Sequence, residues 1–274
     1  MSVASESTAP LVSVVAFGVR ERARDLLKRA FPRRRGKVTL VRTRNEVLDA
    51  LKDSLADAVI VDLAHAGDEH WKVAALARDF PSIPFLALAP LRPAELTPAS
   101  RACLECEFAD LIVEGAEDSL PRELVMPVSF TARFSAALTP AHANIGLTTD
   151  LQREVWSLIV GQGGRPVRTE ALADAVQLTR EHLSRRFSMD GAPNLKRVID
   201  LVRLLAAAEL AKNPGYDLPD VARVLGFASA THLSTSSARV IGVKSASLTR
   251  LRPVELMDRF VKQGRGRSRR VARD

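Results

Sequence analysis

A chain of 274 residues, 46% of them hydrophobic, is long enough to bury two cores, so two domains are expected. An excess of 40 Lys and Arg over 32 Asp and Glu leaves a formal net charge of +8, which favours a polyanionic partner. No leader segment or membrane-length apolar run is evident, and two cysteines exclude a disulfide-dense scaffold; the expectation is a soluble cytoplasmic protein with no membrane partner.

Met1 to Pro10 is small and polar and reads as a disordered tail. Leu11 to Phe17 reads as a strand, followed by an arginine-rich helix to about Ala30, a basic loop over Pro32 to Lys37 and a second strand over Val38 to Val41. Thr43-Arg44-Asn45-Glu46 is a capping box opening a helix that carries Val47, Leu48, Leu51 and Leu55. Ala58 to Leu63 is a buried strand containing Asp62 near its end, His70 to Phe80 is helical, and Pro84 introduces a strand over Phe85 to Ala89. A helix over Pro93 to Glu105, a last strand over Leu111 to Val113 and a short helix near Pro121 complete the series. Strand and helix alternate five times, which argues for a doubly wound α/β sheet. Cys103 and Cys106 form a lone CxxC that a redox pair or half a metal site could use. With no second pair and no histidine cluster to complete it, they read as reduced packing thiols on a helix.

In length and order, Leu11 to about Pro127 resembles the receiver domain of bacterial response regulators. The resemblance rests on Asp62 and on the IPFLALAP and FADLIVEG stretches. It implies a carboxylate nucleophile, further acids for Mg²⁺, a hydroxyl and a lysine that steadies the phosphoryl group. Asp62 stands at the nucleophile position, but Gly18 and Val19 replace the acid pair, Ala89 the hydroxyl residue and Glu114 the lysine. The expectation is therefore an inactive phosphoacceptor equivalent in a pseudo-receiver that serves dimerisation, partner binding or ligand input. A doubly wound domain of unrelated purpose is the competing reading, with Asp62 as a strand-end acid capped by backbone amides. His65 and His70 lie by the strand ends where open α/β sheets bind ligands; they read as ligand contacts, pH sensors or plain loop histidines.

Ser129 to Asn144 has a linker's composition, with Phe130 and Phe134 free to dock on one domain. Thr149 and Gln152 form a capping box for a helix through Val155, Trp156 and Ile159 that stops at Gly161 to Gly164, with Trp156 in the core. Leu172, Ala173, Val176, Leu178, Leu183 and Phe187 then fall at the offsets of two short helices sharing one core, the second capped by Thr179. Leu195 to Asn213 reads as one helix about 28 Å long. The pattern recurs over Asp220 to Val240, with Val221, Ala222, Val224 and Leu225 on a first helix, Gly226 at the turn, Phe227 inward and Leu233 on the next helix. A single pair of this kind is compatible with a plain αα-hairpin; two copies joined by a stiff rod point to DNA, whose major grooves recur about every 34 Å.

From about Thr148 to Arg250 the chain resembles the DNA-binding domain of AraC/XylS transcription regulators. Leu172-Ala173, Leu183, Arg185, Phe187, Arg203, Val221-Ala222, Gly226-Phe227 and Leu233 carry the match. It departs at the first turn, where Gln177 replaces a glycine, and in the second unit, where Ser237 replaces a core Phe and Ser245 stands near a missing proline. By position in the motif, the resemblance puts Arg180, Glu181, Ser184 and Arg185 toward bases. Thr231, Ser234 and Thr235 form the weaker second face, which offers no arginine to grip guanine and is assigned mainly to phosphates.

The domains expected are a tail at 1–10, a receiver-like domain at 11–128, a linker at 129–147, an all-α double helix-turn-helix domain at 148–260 and a basic tail at 261–274. Arg265, Arg267, Arg269 and Arg270 of that tail suit either a phosphate-tracking arm or a solvated end. The function expected is sequence-specific regulation of transcription, without enzyme activity, metal or cofactor. Its partners are double-stranded DNA, a second copy of the chain and RNA polymerase. The alternatives are a partner-binding protein with non-specific DNA affinity and a response regulator phosphorylated on Asp62.

Overall fold

The computed structural model describes residues 11–115, 117 and 119–271, so the tail expected at 1–10 lies outside the described residues. The chain divides into two compact units. One comprises Leu11–Arg133 with Glu209–Val224, the other Phe134–Ala208 with Leu225 onward.

The first unit is a parallel sheet flanked by helices. Its strands are β1 (Val12–Phe17), β2 (Gly36–Val41), β3 (Ala58–Asp62), β4 (Phe85–Pro90) and β5 (Asp110–Glu114). The helices are α1 (Glu21–Ala30), α2 (Arg44–Asp53), α3 (Asp68–Ala74) with a 3₁₀ turn at Ala75–Arg78, α4 (Pro93–Glu105) and α5 (Leu120–Val128). Strand order is β2-β1-β3-β4-β5, all parallel, with Val14 opposite Ala58 and Val59 opposite Phe85. The winding direction reverses beside β1, as the alternating pattern predicts for a doubly wound sheet. Both faces are covered: Val14, Ala16, Ile60, Leu86 and Ile112 pack against Leu27 of α1 and Val125 of α5, while α2, α3 and α4 cover the other side.

Local signals explain the boundaries. Thr43 accepts from the Glu46 N–H at 3.2 Å, and the Glu46 carboxylate accepts the Arg42 N–H at 2.7 Å, which closes the expected cap one residue further back. The basic loop is shorter than expected and β2 starts at Gly36, because the Pro32 carbonyl accepts the N–H groups of Arg35 and Gly36 and turns the chain sharply. Asp57, 1% exposed, accepts from the Ser13 N–H at 2.8 Å and from the backbone and hydroxyl of Thr131, and so anchors the helix that follows.

That helix, α6 (Phe130–Leu138), and a 3₁₀ stretch at Thr139–Ile145 replace the linker expected from composition. Phe130, Phe134 and Leu138 recur every four residues and are all buried, so a helical stripe outweighs the Ser, Thr and Pro content.

Glu209–Val224 belongs to the first unit through specific bonds. Asn213 accepts the Ser82 N–H at 2.7 Å and donates to the Leu210 carbonyl at 2.7 Å. The Tyr216 hydroxyl donates to the Leu51 carbonyl at 2.9 Å, and its ring meets Phe80 edge-on at 4.9 Å. Gly215 is required here: a Cβ would lie 2.4 Å from Phe80. In α11 (Leu218–Val224), Asp220 pairs with Lys52 at 2.8 Å.

The second unit is helical: α7 (Asp150–Val160), α8 (Thr169–Ala175), α9 (Arg180–Phe187), α10 (Leu195–Leu210), α12 (Ala230–Ile241), a 3₁₀ turn at Ser245–Arg250 and α13 (Pro253–Val271). The last two residues of α10 belong to the first unit. Trp156 is fully buried in this second core and donates from Nε1 to the Leu138 carbonyl at 3.0 Å. Two expectations are corrected. At 16 residues, α10 spans about 24 Å rather than about 28 Å, because the Asn213 side chain takes the Leu210 carbonyl and ends it three residues early. The backbone of α13 stays helical to Val271, across most of the stretch read as a flexible basic tail.

Candidate nucleic-acid interface

The first helix-turn-helix is built from short-range rules. Leu172 and Ala173 of α8 and Leu183 and Phe187 of α9 are at most 3% exposed, which leaves the opposite side of α9 to solvent. Thr179 caps α9 by accepting the His182 N–H at 3.2 Å. Gln177, in the place expected for glycine, takes φ +55, the left-handed conformation that the turn demands and that a side chain makes costly. Gln152 reaches this region from the capping box of α7. It accepts from the N–H groups of Thr148 and Thr149 and donates to the carbonyls of Phe187 and Met189, which ties down the end of α9.

Arg180, Glu181, Ser184 and Arg185 all lie on the exposed side of α9. Arg180 does not stand free. Its guanidinium bonds Glu170 at 3.2 Å and Glu181 at 3.3 Å, and those hydrogen bonds and charges hold its pKa above the usual arginine value. Among the described residues, Arg185 has no acidic partner at salt-bridge distance. Sequence reasoning passed over Arg186, exposed on the flank of the same helix, and the restraint that Glu170 places on Arg180; both follow once the α8–turn–α9 geometry is drawn.

In the second copy the turn glycine, Gly226, takes φ +66, and Ser229 caps α12 by accepting the His232 N–H at 3.1 Å. Arg203 of α10 lies 4.0 Å over the Phe227 ring and donates to the Leu225 carbonyl at 2.9 Å. Burial lowers its pKa, yet this contact makes it a structural clamp on the turn. Ser237, in place of a bulky core residue, is fully buried and satisfied by donating to the Val243 carbonyl at 2.7 Å. Thr231 and Thr235 are exposed and Ser234 half-buried; Thr235 gives its hydroxyl proton to the Thr231 carbonyl at 2.9 Å. Both α9 and α12 lie in the second unit, while α11, the support helix of the second copy, lies in the first.

At the ends of the first unit's strands, Asp62 is 2% exposed and Glu114 6%. Arg20 joins them: its Nε is 2.9 Å from Asp62 and its Nη2 bonds Glu114. The Arg20 and Ala64 N–H groups also donate to Asp62 at 3.1 and 3.2 Å. Burial works against the Arg20 charge, but the two carboxylates outweigh it and raise its pKa. A phosphoacceptor of the receiver kind needs Mg²⁺ beside Asp62. The residues present do not fit that ion, since a guanidinium occupies the cation's role and no second acid converges from β1. Sequence reading noticed the reversed charge at Glu114 but missed Arg20, whose pairing depends on a turn after β1. Among the described residues, no group of three His, Cys, Asp or Glu could hold a metal ion, and no helix is long and apolar enough to cross a membrane. Burial raises the thiol pKa of both Cys103 and Cys106.

Residues 172–250 match the family described as "Helix-turn-helix domain", which assigns that stretch of the chain to a helix-turn-helix module. Among solved structures, full-length FixJ from B. japonicum is similar at 15% identity over 82% of this chain and 98% of that chain, with a TM-score of 0.37. RcsB from Salmonella enterica serovar Typhimurium, bound to promoter rprA in the presence of phosphomimetic BeF3-, is similar at 14% identity over 69% of this chain and 98% of that chain, with a TM-score of 0.32. No curated protein matches the sequence.

Proposed function

We propose that this protein is a sequence-specific transcription regulator of the AraC/XylS type whose first helix-turn-helix reads bases in the major groove. The observation that carries this reading is the exposed Arg180, Glu181, Ser184 and Arg185 face of α9, held over a buried Leu183 and Phe187 by a capped, glycine-like turn. In this reading the hydroxyls of Thr231, Ser234 and Thr235 on α12 contact mainly phosphates. The protein works as a homodimer on paired half-sites in the cytoplasm and meets RNA polymerase at the promoter. Footprinting of genomic fragments with the full-length protein tests it. Discrete protected sites sharing a motif are expected, whereas uniform, salt-dependent coverage overturns the reading in favour of non-specific binding.

The N-terminal unit acts in this scheme as a pseudo-receiver, without phosphorylation and without catalysis. Support comes from Arg20, which occupies the Asp62 carboxylate that a phosphodonor would have to meet. Incubation with acetyl phosphate and Mg²⁺, followed by peptide mass spectrometry, is expected to leave Asp62 unmodified. Stoichiometric added mass at Asp62 restores the response-regulator reading.

A further inference from the structure

Beside the Asp62 ion pair, and separate from it, a cleft of about 540 Å³ opens where β1 and β2 end. That volume suits a small molecule, and the ends of strands are where open α/β sheets take ligands. Phe17, Leu40 and Val41 give it apolar walls, with Leu40 43% exposed at the rim. Arg24, Arg42 and His70 supply the polar lining.

Neither guanidinium has an acidic partner among the described residues. Among the described residues the Arg24 side chain makes one weak bond, from Nη2 to the Val19 carbonyl at 3.4 Å, so its charge is not committed elsewhere. His70 accepts the Gly67 N–H through Nδ1 at 3.2 Å, which leaves Nε2 to carry the proton of the neutral ring. Burial lowers the His70 pKa despite the pull of Asp62, so the neutral donor form is favoured. Nε2 faces the floor of the cleft at Gly18, where a Cβ would come within 3.0 Å of it. Glu69 also lines the cleft, but its carboxylate is engaged by the Arg44 N–H at 3.1 Å and by Lys72 at 3.6 Å. It limits the anionic charge that the cleft accepts.

We infer that this cleft binds a small organic monoanion, a carboxylate with an apolar body, whose carboxylate meets Arg24 and Arg42 and whose body lies against Phe17, Leu40 and Val41. The inference goes beyond the DNA-binding reading and does not depend on it. Its test is a ¹H–¹⁵N correlation titration of the full-length protein with benzoate, with benzamide and inorganic phosphate as controls. Benzoate is expected to give saturable shifts centred on Gly18, Val19, Arg42 and His70, while the two controls give none there. Arg24→Gln and Arg42→Gln should each weaken benzoate binding at least ten-fold with the rest of the spectrum retained. Leu40→Glu, at the exposed rim where folding is not at stake, should abolish it. Absent or scattered benzoate shifts, equal binding of either control, or affinity unchanged by Leu40→Glu overturns the proposal.

Discussion

Arg20 shows how one side chain can redefine a site. Two nearly buried carboxylates face one cation that is itself 27% exposed, so the trio is held by charge-assisted bonds in a partly desolvated setting. Removing the cation strands two acids, and breaking such a pair costs about 3 kcal/mol, the low end for a buried arrangement because Arg20 touches solvent. Arg20→Met should lose that much stability in urea denaturation, and the triple variant with Asp62→Asn and Glu114→Gln should recover most of it. A negligible loss in Arg20→Met would mean that the trio is not closed in solution. Residues of this kind are the least readable from sequence. Asp62 and Glu114 stood out by position, but Arg20 was one of many arginines in a basic stretch, and only the turn at Gly18 aims it back over the sheet. Asp57 was equally silent, because its partners Ser13 and Thr131 are far away in the chain.

Elements with strong local signals were readable almost in full. Alternating strands and helices gave the doubly wound sheet, and the caps at Thr43, Thr149 and Thr179 set the starts of their helices. Elements decided by distant contacts were not. The helix α6 was hidden by a linker-like composition, and α10 stops where Asn213 turns to bond Leu210 and Ser82. The two recognition turns provide a paired prediction. Gln177→Gly relieves left-handed strain and should raise stability by about 1 kcal/mol, whereas Gly226→Ala should lower it. The second change both strains φ +66 and drives a Cβ to 2.6 Å from Pro166. Thermal unfolding of both variants checks the opposite signs. A pH prediction belongs to α11. Burial pushes the Asp220 pKa up, but Lys52 and the Asp217 N–H pull it further down, to a net value below the ordinary 3.8. A carboxylate depressed on folding stabilises above its unfolded pKa and loses that contribution as pH falls through its folded one. The stability gap between the parent protein and Asp220→Asn should therefore be full at pH 6 and shrink below pH 3.8. A gap constant across that range would show that the Lys52 pair contributes nothing.

At the scale of the molecule, an excess of positive charge gives any basic protein some attraction to DNA, so affinity alone says little. What separates a reader from a generic binder is a side chain that discriminates among bases, and in the proposed reading that side chain is Arg185 of α9, exposed and without an acidic partner at salt-bridge distance among the described residues. In the same proposed reading Arg180, bonded to Glu170 and Glu181, has to exchange those partners for DNA, so a smaller contribution is expected of it. The most direct measurement is the affinity of the full-length protein and of Arg185→Ala for a footprinted site and for a scrambled duplex of equal length, at one salt concentration. A loss of about 1–3 kcal/mol on the footprinted site, with little change on the scrambled one, is the expected result if Arg185 reads a base. An equal loss on both duplexes would make Arg185 a phosphate contact and contradict base reading by α9.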